Sequence, residues 1–481
     1  MKNTFAPINQ LCPEVLSLIP GYCNTDKELI KSTHVCHFWR EVFISCASLW
    51  TFLDCRNLSQ TYTYLERSKK SPLEICLRGG HTPFLNGAFL QTVPHISRLR
   101  ALTFSGPSHQ FFKLTKQLGS TAPLLKKLDL SVQGTPTAPP NILFDGDLPS
   151  LHKLYLANVL IDLPWKNPTN LTELHLYQAP HNVTQLLNLF RHAPLLHEII
   201  LEDSLPDTSD APSDQVVPLP NLGLLNVVAQ PAHSILLNHL HIPAGAMVST
   251  SFEFSGEASP ILDCLPRSLD NLSNLSHITA IRFELGQTIA MGFKGPSGSL
   301  YMAGSLVERN TIPPTLSHQL LLSLNRFHIS TAEKLMIGCF VDLTHLGEES
   351  SSIYQIFLLM NNLCTLTLVD CINIPFIFAL DPNYNSSNTV LCPKLEGLVL
   401  YGRKLDDFDL DELLEMAKQR SSKGAKLATL VIICEYNIIP AEKVFDLRRC
   451  VSHVEHKLGS HFPRWDLVPS RIHELDCDDE W

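Results

Sequence analysis

Residues 148–176 read LPSLHKLYLANVLIDLPWKNPTNLTELHL, and this stretch contains one six-residue pattern twice. The pattern is a leucine, two variable residues, a leucine, one variable residue and a leucine. It occurs at Leu151/Leu154/Leu156 and at Leu171/Leu174/Leu176. The last two leucines of each triplet are two residues apart, so in an extended chain they face the same side of a sheet. The stretch therefore predicts two short strands of one kind, each with its leucines buried.

The same pattern recurs along most of the chain. In the first half it occurs at Leu99/Leu102/Phe104, Leu125/Leu128/Leu130, Leu196/Ile199/Leu201 and Leu222/Leu225/Val227. In the second half it occurs at Ile278/Ile281/Phe283, Leu335/Ile337, Leu363/Leu366/Leu368, Leu395/Leu398/Leu400 and Leu427/Leu430/Ile432. A period of ~20–29 residues is typical of leucine-rich repeats, which bury their apolar faces by stacking on one another. The repeats predict an α/β fold, an irregular leucine-rich-repeat solenoid (a horseshoe) with a parallel inner sheet.

Several segments depart from the repeat. Residues 248–254 (VSTSFEF) predict the strand of an atypical unit, and the glycine-rich residues 287–309 predict a β-hairpin insertion. Residues 203–219 and 381–390, rich in polar residues and proline or asparagine, predict loops. Residues 406–420 predict a helix on the outer wall, because one of its faces is apolar. That face consists of Leu410, Leu413, Leu414 and Ala417.

The alternative for this periodicity is a generic α/β domain that happens to be rich in leucine. Such a domain would be expected to contain long apolar strands and phosphate-binding glycine loops between its elements. The sequence contains neither, which favours the solenoid.

Residues 9–54, NQLCPEVLSLIPGYCNTDKELIKSTHVCHFWREVFISCASLWTFLD, predict three short helices. Pro13 suits the first position of a helix, where its missing amide donor would be unpaired anyway. Thr25 and Glu28 have the spacing of a capping box and predict the start of the second helix. The third helix is predicted from Thr33, with an apolar stripe at three- and four-residue steps. That stripe consists of Val35, Phe38, Trp39, Val42 and Phe43.

The order of these residues resembles an F-box, a helical module that docks a substrate receptor onto a ubiquitin ligase. The family pattern Leu-Pro-x-Glu-(Val/Ile/Leu)-Leu is matched, with Cys12 in place of the usual proline, by Leu11, Cys12, Pro13, Glu14, Val15 and Leu16. Its later signature is matched by Val35, Cys36, Trp39, Arg40, Leu49 and Trp50. Residues 64–77 are similar to the segment after the F-box in a large fungal group. An ordinary small helical bundle is the alternative, but so short a segment buries little surface by itself.

The resemblance implies a three-helix F-box at residues 5–55 that binds a Skp1-type adaptor and, through it, a cullin–RING ligase. The residues implied to contact the adaptor or to shape that surface are Leu11, Pro13, Val15, Leu16, Ile19, Val35, Trp39 and Trp50. For Trp39 a purely internal position is the alternative, because it lies on the same stripe as Val35. The rest of the chain is predicted as a connector with the first strand (56–94), the solenoid (95–445) and a C-terminal segment with an acidic tail (446–481).

The predicted function is that of a substrate-recognition subunit of an SCF-type (Skp1–cullin–F-box) E3 ubiquitin ligase, without catalysis of its own. The repeats would bind a protein substrate, whose identity the sequence does not reveal. Residues between the leucines would face that partner, and their mixed charges suit a polypeptide. They include Lys127, Asp129, Lys153, Tyr155, Glu173 and His175. A non-degradative leucine-rich-repeat scaffold is the alternative.

Composition excludes several other classes of function. Lys and Arg number 37 and Asp and Glu 47, for a formal net charge of −10, which disfavours nucleic acid and anionic membranes as partners. The 14 cysteines contain no Cys-x-x-Cys pair, as expected of free thiols in a reducing compartment. No apolar run approaches the ~18–20 residues of a membrane span. We expect a cytoplasmic or nuclear protein.

The sequence contains no recognisable catalytic motif. It has no phosphate-binding glycine loop, no Gly-x-Ser-x-Gly elbow and no His-Glu-x-x-His pair. His233, His239 and His241 could form a metal site. Histidines at the edges of repeats are more often ordinary surface residues than metal ligands, so no metal or cofactor is predicted. An enzyme with an unrecognised site in the irregular residues 230–330 is the third class of function considered.

Overall fold

The structure is a computed structural model of the 481-residue chain. It describes residues 7–19, 26–78, 84–161, 166, 168–204, 216–228, 234–254, 269–286, 288–306, 321, 323–339, 350–369, 374–384, 389–402, 407–435 and 439–459. The chain divides into two compact units, Met1–Pro206 and Asp207–Trp481.

The first unit begins with short helices and continues with alternating strands and helices. Its α-helices are α1 (Pro13–Leu16), α2 (Asp26–Ser32), α3 (His37–Ser45), α4 (Leu58–Ser68), α5 (Phe84–Thr92), α6 (Ser108–Thr115) and α7 (Val183–His192). Its 3-10 helices are Pro7–Gln10, Ala47–Trp50, Val93–Arg98 and Leu143–Gly146. Its strands are β1 (Phe52–Asp54), β2 (Leu73–Arg78), β3 (Leu99–Pro107), β4 (Lys127–Gln133), β5 (Lys153–Ala157), β6 (Glu173–Tyr177) and β7 (Glu198–Glu202).

Strands β1 to β7 pair in chain order, and every pairing is parallel. The register places equivalent leucines side by side, so that Leu102, Leu128, Leu154 and Leu174 form one fully buried row. Burying a leucine side chain stabilises a fold by roughly 1.5–3 kcal/mol, so each repeated triplet contributes a similar increment. The predicted α/β class with a parallel sheet is confirmed here.

The second unit contains a mostly parallel sheet with one reversal. Its strands are β8 (Val217–Pro218), β9 (Leu224–Val228), β10 (Leu240–His241), β11 (Met247–Phe254), β12 (Ala280–Leu285), β13 (Thr288–Lys294), β14 (Ser299–Leu306), β15 (Lys334–Cys339), β16 (Thr365–Val369), β17 (Gly397–Gly402), β18 (Thr429–Cys434) and β19 (His453–Leu458). Its α-helices are α8 (Ser234–Asn238), α9 (Ser350–Leu359), α10 (Ile374–Leu380), α11 (Asp407–Ser422) and α12 (Ala441–Cys450). Its 3-10 helices are Ser273–Leu275, Leu324–Arg326 and Ile329–Thr331.

The strand pairings give the larger sheet in this unit the spatial order β9-β11-β14-β13-β12-β15-β16-β17-β18-β19. Strand β13 runs antiparallel to both β12 and β14, whereas the other neighbours in this order are parallel. The strand predicted at 248–254 and the hairpin predicted at 287–309 are both present. Strands β8 and β10 form a separate two-stranded sheet.

A tight contact supports the loop between β13 and β14. A Cβ atom added to Gly298 would lie 2.7 Å from the carbonyl oxygen of Ala246 and 2.8 Å from the Cβ of Asn274, and would also collide with the carbonyl oxygen of Ala244. Only glycine fits there without a shift of the backbone.

Helix α11 contains the predicted apolar face, and its four residues are buried. The same helix carries Arg420, which is also fully buried. The Nη1 atom of Arg420 donates to the carbonyl oxygen of Leu391 at 2.8 Å, and Nη2 donates to that of Cys392 at 2.9 Å. Burial lowers the pKa of this guanidinium. Arg420 thereby attaches α11 to the segment that precedes β17.

The sheets extend beyond the predicted limits of the solenoid at both ends. Strand β1 lies inside the segment assigned to the helical module, 5–55, and pairs with β2. Strand β19 lies beyond residue 445 and pairs with β18. Its sequence HVEHKL contains one well-buried apolar residue, Val454, so it lacks the leucine pattern. Residues 205–215 of a predicted loop and the acidic tail at 474–481 lie outside the described residues.

Candidate partner-binding surfaces

The N-terminal helices enclose a small apolar core of their own. This core consists of Leu16 on α1 and Trp39, Val42 and Phe43 on α3, and the ring centroids of Trp39 and Phe43 are 5.4 Å apart. Ile19, Cys36 and Leu49 pack against it while remaining partly exposed. Helices α1 and α2 both contact α3. The helical module therefore has an interior, and apolar residues outside that interior need another explanation.

Seven large apolar side chains of the described residues between 8 and 38 remain outside this core. Their exposed fractions range from 36% to 63%. They are Ile8, Leu11, Val15, Leu18, Ile30, Val35 and Phe38. Single exposed apolar residues are ordinary, but a concentration of them in one short module is typical of a protein–protein interaction site. We call these seven residues the apolar surface.

The eight residues implied to form the adaptor surface differ in their exposure to solvent. Leu11, Pro13, Val15 and Val35 are exposed, and Ile19 is half-buried. Leu16, Trp39 and Trp50 are buried, so they can shape the surface but cannot touch a partner across it. For Trp39 this is the internal position considered as the alternative.

The predicted start of the third helix, at Thr33, is wrong. Helix α3 begins at His37, because residues 33–35 form a turn in which the amide of Thr33 still donates to the carbonyl oxygen of Leu29. Val35 is therefore not on the helix, and Phe38 lies at the margin of the buried stripe. Thr25, proposed as the cap of the second helix, lies outside the described residues.

Trp50 connects helix α3 to helix α4. Its Nε1 atom donates to the carbonyl oxygen of Phe43 at 2.8 Å, near the C-terminal end of α3. Its ring meets that of Tyr64 edge-on with centroids 5.0 Å apart, and the guanidinium of Arg67 lies 4.3 Å from its ring centroid. Both partners are on α4. The sequence did not suggest a role for these two residues, although both lie within residues 64–77, the segment similar to the one after the F-box in a fungal group.

A second surface lies on the side of the first sheet opposite the leucines. Its polar residues pair within β4, between β5 and β6, and between β6 and β7. Lys127 lies 3.4 Å from Asp129, Lys153 lies 2.8 Å from Glu173, and His175 lies 3.0 Å from Glu198. The hydroxyl of Tyr155 donates to Glu173 at 2.5 Å. The polar face is defined as Lys127, Asp129, Lys153, Tyr155, Glu173, His175, Tyr177, Glu198 and Glu202.

All six residues predicted to face outward between the leucines lie on this polar face. His175 differs from the other five because it is buried, with only 8% of the residue exposed. It lies against the ring of Tyr155 and the carboxylate of Glu198. Tyr177, Glu198 and Glu202 were not singled out. They occupy the same alternating positions in two successive repeats, so the leucine frame itself could have identified them.

Burial and hydrogen bonding set the protonation of the polar face. Burial lowers the pKa of His175, although the neighbouring carboxylates of Glu198 and Glu173 oppose this shift. Burial alone would raise the pKa of Glu173, but hydrogen bonds from Lys153 and Tyr155 hold it below the usual range. Burial raises the pKa of Asp129 despite Lys127 beside it. The face thus contains a neutral imidazole and an ionised carboxylate at neutral pH.

Aromatic rings line the centre of the polar face. The centroids of Tyr155 and His175 are 4.4 Å apart, and those of His175 and Tyr177 are 6.4 Å apart. The ammonium of Lys127 lies 5.2 Å from the ring centroid of Tyr155. Rings in this arrangement can bind apolar or cationic side chains.

The described residues contain no group of three or more His, Cys, Asp or Glu placed to hold a metal ion. His241 is exposed on β10, His239 is half-buried beside it, and His233 lies outside the described residues. Cys55 and Cys392 are free and fully buried, and burial raises the pKa of each thiol to about 12. Within the described part of the chain, none of the helices combines the length and apolar character needed to cross a bilayer.

No protein-family model matches this chain, and no curated protein matches it.

Proposed function

We propose that this chain is the substrate-recognition subunit of an SCF-type E3 ubiquitin ligase. In this proposal the N-terminal helices are an F-box that binds a Skp1-type adaptor, and the remainder is a leucine-rich-repeat solenoid that binds a protein substrate. The chain itself supplies no catalytic group. It acts by holding a substrate lysine near a charged conjugating enzyme, which raises the effective concentration of the two reactants.

The apolar surface is the observation that carries the proposal. A module whose core is already formed by Leu16, Trp39, Val42 and Phe43 gains nothing internally from seven further exposed apolar side chains. A partner that covered them would gain roughly 25 cal/mol for each Å² of apolar area removed from water. Leu11 and Val15 belong to the F-box pattern in the sequence and also to this surface in the structure, which supports an adaptor as that partner.

The repeated strands support the second half of the proposal. Strands β4, β5 and β6 direct their leucines to the core and the residues between those leucines, Asp129, Tyr155 and His175, to the polar face. A row of polar and aromatic side chains on a rigid parallel sheet is suited to binding a polypeptide by complementary charge.

The test is adaptor binding by point variants, measured by isothermal titration calorimetry with a purified Skp1-type adaptor. We expect the double variant Leu11→Ala with Pro13→Ala to weaken binding at least tenfold, because both residues are exposed and neither contributes to the helical core. The control is Leu195→Ala, which truncates another exposed leucine of the same unit and should leave affinity within twofold. Deletion of residues 1–55 is a poor test, because it also removes β1 from the sheet.

Unchanged adaptor affinity in the double variant would reject the contact assignment. If the parent chain shows no adaptor binding at all, the ligase proposal itself fails. Reconstituted ubiquitylation of a captured partner then separates a ligase receptor from a non-degradative scaffold, because only the receptor supports transfer.

A further inference from the structure

Strand β19 forms an edge of the larger sheet in the second unit. Among the strands of the described residues, it pairs with β18 alone. The amide of His453 donates to the carbonyl oxygen of Ala428 at 2.9 Å, and the amide of Gly459 donates to that of Cys434 at 3.2 Å. Backbone groups alternate in direction along a strand, so every second residue from His453 to Gly459 bonds toward β18. The residues between them direct their N–H and C=O groups to the open edge, and they are Val454, His456 and Leu458.

This edge can accept a further strand. Its six residues, HVEHKL, include no proline or glycine, and their register with β18 is unbroken. Charged residues are its protection against indiscriminate pairing, as on many edge strands. The Nζ atom of Lys457 lies 2.9 Å from Oε1 of Glu455, so both side chains lie on one side of the strand. A partner strand must therefore present charges that complement this pair.

The sequence of β19 complements itself when it runs antiparallel to a second copy. Residues directed to the open edge must lie opposite one another, because only they can exchange backbone hydrogen bonds. One register that satisfies this condition places His456 opposite His456 of the second copy. Glu455 then lies opposite Lys457 of the second copy, and Lys457 lies opposite Glu455 of the second copy. Val454 likewise lies opposite Leu458 of the second copy.

The two neighbouring registers are disfavoured by charge. The next permitted shift in one direction places Glu455 opposite Glu455, and the next shift in the other direction places Lys457 opposite Lys457. These positions do not exchange backbone hydrogen bonds, so their side chains approach most closely, and like charges there are destabilising. The matched register replaces both repulsions by attractions. It also gives Leu458, which is 57% exposed, an apolar neighbour.

We propose that β19 pairs antiparallel with β19 of a second copy of this chain, with His456 at the centre of the pairing. The two copies are then related by a two-fold axis, so the same strand serves on both sides of the contact. A six-residue edge is a small interface, and we expect a dissociation constant in the micromolar range. This inference goes beyond the proposed function and does not depend on it.

The test is sedimentation equilibrium of the full-length chain over low to high micromolar concentrations. We expect a monomer–dimer equilibrium for the parent chain. Lys457→Glu should weaken it at least tenfold, because each copy then places a glutamate opposite Glu455 of the other. The double variant Glu455→Lys with Lys457→Glu should restore the dimer to within threefold of the parent, because it exchanges the two charges and keeps them complementary.

The control is Lys116→Glu, which makes the same change of charge at an exposed lysine of the first unit. This variant should dimerise as the parent does. A parent chain that stays monomeric at every concentration would overturn the inference, as would a dimer unaffected by Lys457→Glu. Equal weakening by Lys457→Glu and Lys116→Glu would show a response to overall charge, and failure of the charge exchange to restore the dimer would show that these residues do not face each other.

Zero-length crosslinking with a carbodiimide tests the register on the unmodified sequence. An equal mixture of ordinary chains and chains labelled with heavy nitrogen separates links between copies from links within one copy. We expect a product that joins Glu455 of one isotope to Lys457 of the other. A dimer that gives no such mixed product would refute the proposed pairing.

Discussion

Replacement of Trp50 by phenylalanine tests whether this residue acts by position or by contact. Trp50 is fully buried, and its indole donates to the carbonyl oxygen of Phe43 at 2.8 Å. That oxygen belongs to the last turn of α3, where carbonyl groups have no partner within the helix. Phenylalanine keeps a ring against Tyr64 but removes the donor and part of the buried volume.

The magnitude follows from these two losses. Leaving a buried carbonyl oxygen without its donor costs about 1–3 kcal/mol. The smaller ring leaves a void that costs roughly a further 1 kcal/mol, a fraction of the ~3–5 kcal/mol for complete truncation of a tryptophan. We therefore expect the free energy of local opening of α3 to fall by about 2–4 kcal/mol.

Hydrogen exchange measured by mass spectrometry on residues 37–50 and 58–68 is the appropriate assay, because it reports local opening in a chain with two units. Trp50→Phe should accelerate exchange in both segments. Leu11→Ala serves as the comparison and should leave exchange unchanged while weakening adaptor binding, since Leu11 is exposed. Unchanged exchange in Trp50→Phe would refute the view that this residue connects α3 to α4.

Three further predictions concern Arg420, His175 and Gly298. Arg420→Met should destabilise the second unit by about 2–4 kcal/mol in chemical denaturation, because two buried carbonyl oxygens lose their charged donor; full stability would contradict that role. The pKa of His175 lies below its unfolded value of 6.5, so its contribution to stability is complete above that pH and is lost as the pH falls. His175→Gln should therefore flatten the acid side of the stability profile by up to about 1.4 kcal/mol per pH unit, and an identical profile would count against the shift. Gly298→Ala should lower the melting temperature, because the added Cβ collides with backbone oxygens at a cost of about 1–3 kcal/mol. The control is Gly87→Ala on helix α5, where the added Cβ meets no atom within 4 Å and should raise stability by about 0.5–1 kcal/mol. Similar effects of the two substitutions would contradict the steric argument.

The leucine spacing predicted most strands, because a period of two within each triplet requires one buried face. The leucine spacing does not predict strand β19, because Val454 is its one well-buried apolar residue. Strand β1 lies within the predicted helical module because its three residues begin only two positions after Trp50. Short strands contribute few residues to the core, so the sequence contains little of the apolar pattern from which strands are predicted.

The candidate surfaces were predictable only in part. Apolar residues are used both in a core and at a partner surface, so the sequence could not separate buried Leu16 from exposed Val15. The helical stripe misplaced Val35 for the same reason. On the polar face, alternation with leucine located Glu173 correctly. The pairing of Glu198 with His175 depends on the register between neighbouring strands, which a single strand does not encode.

The reversed strand β13 has a consequence for how the chain acquires its structure during synthesis. Up to β7 each new strand can add beside the one made just before it, so the first sheet can grow in the order of translation. Strand β12 cannot follow β11 in this way, since β13 and β14 lie between them. The ribosome must therefore deliver all residues to Leu306 before this part of the sheet can close. Ordered growth would pause there, and the exposed edge of β11 would be the point most open to chaperones or to mispairing.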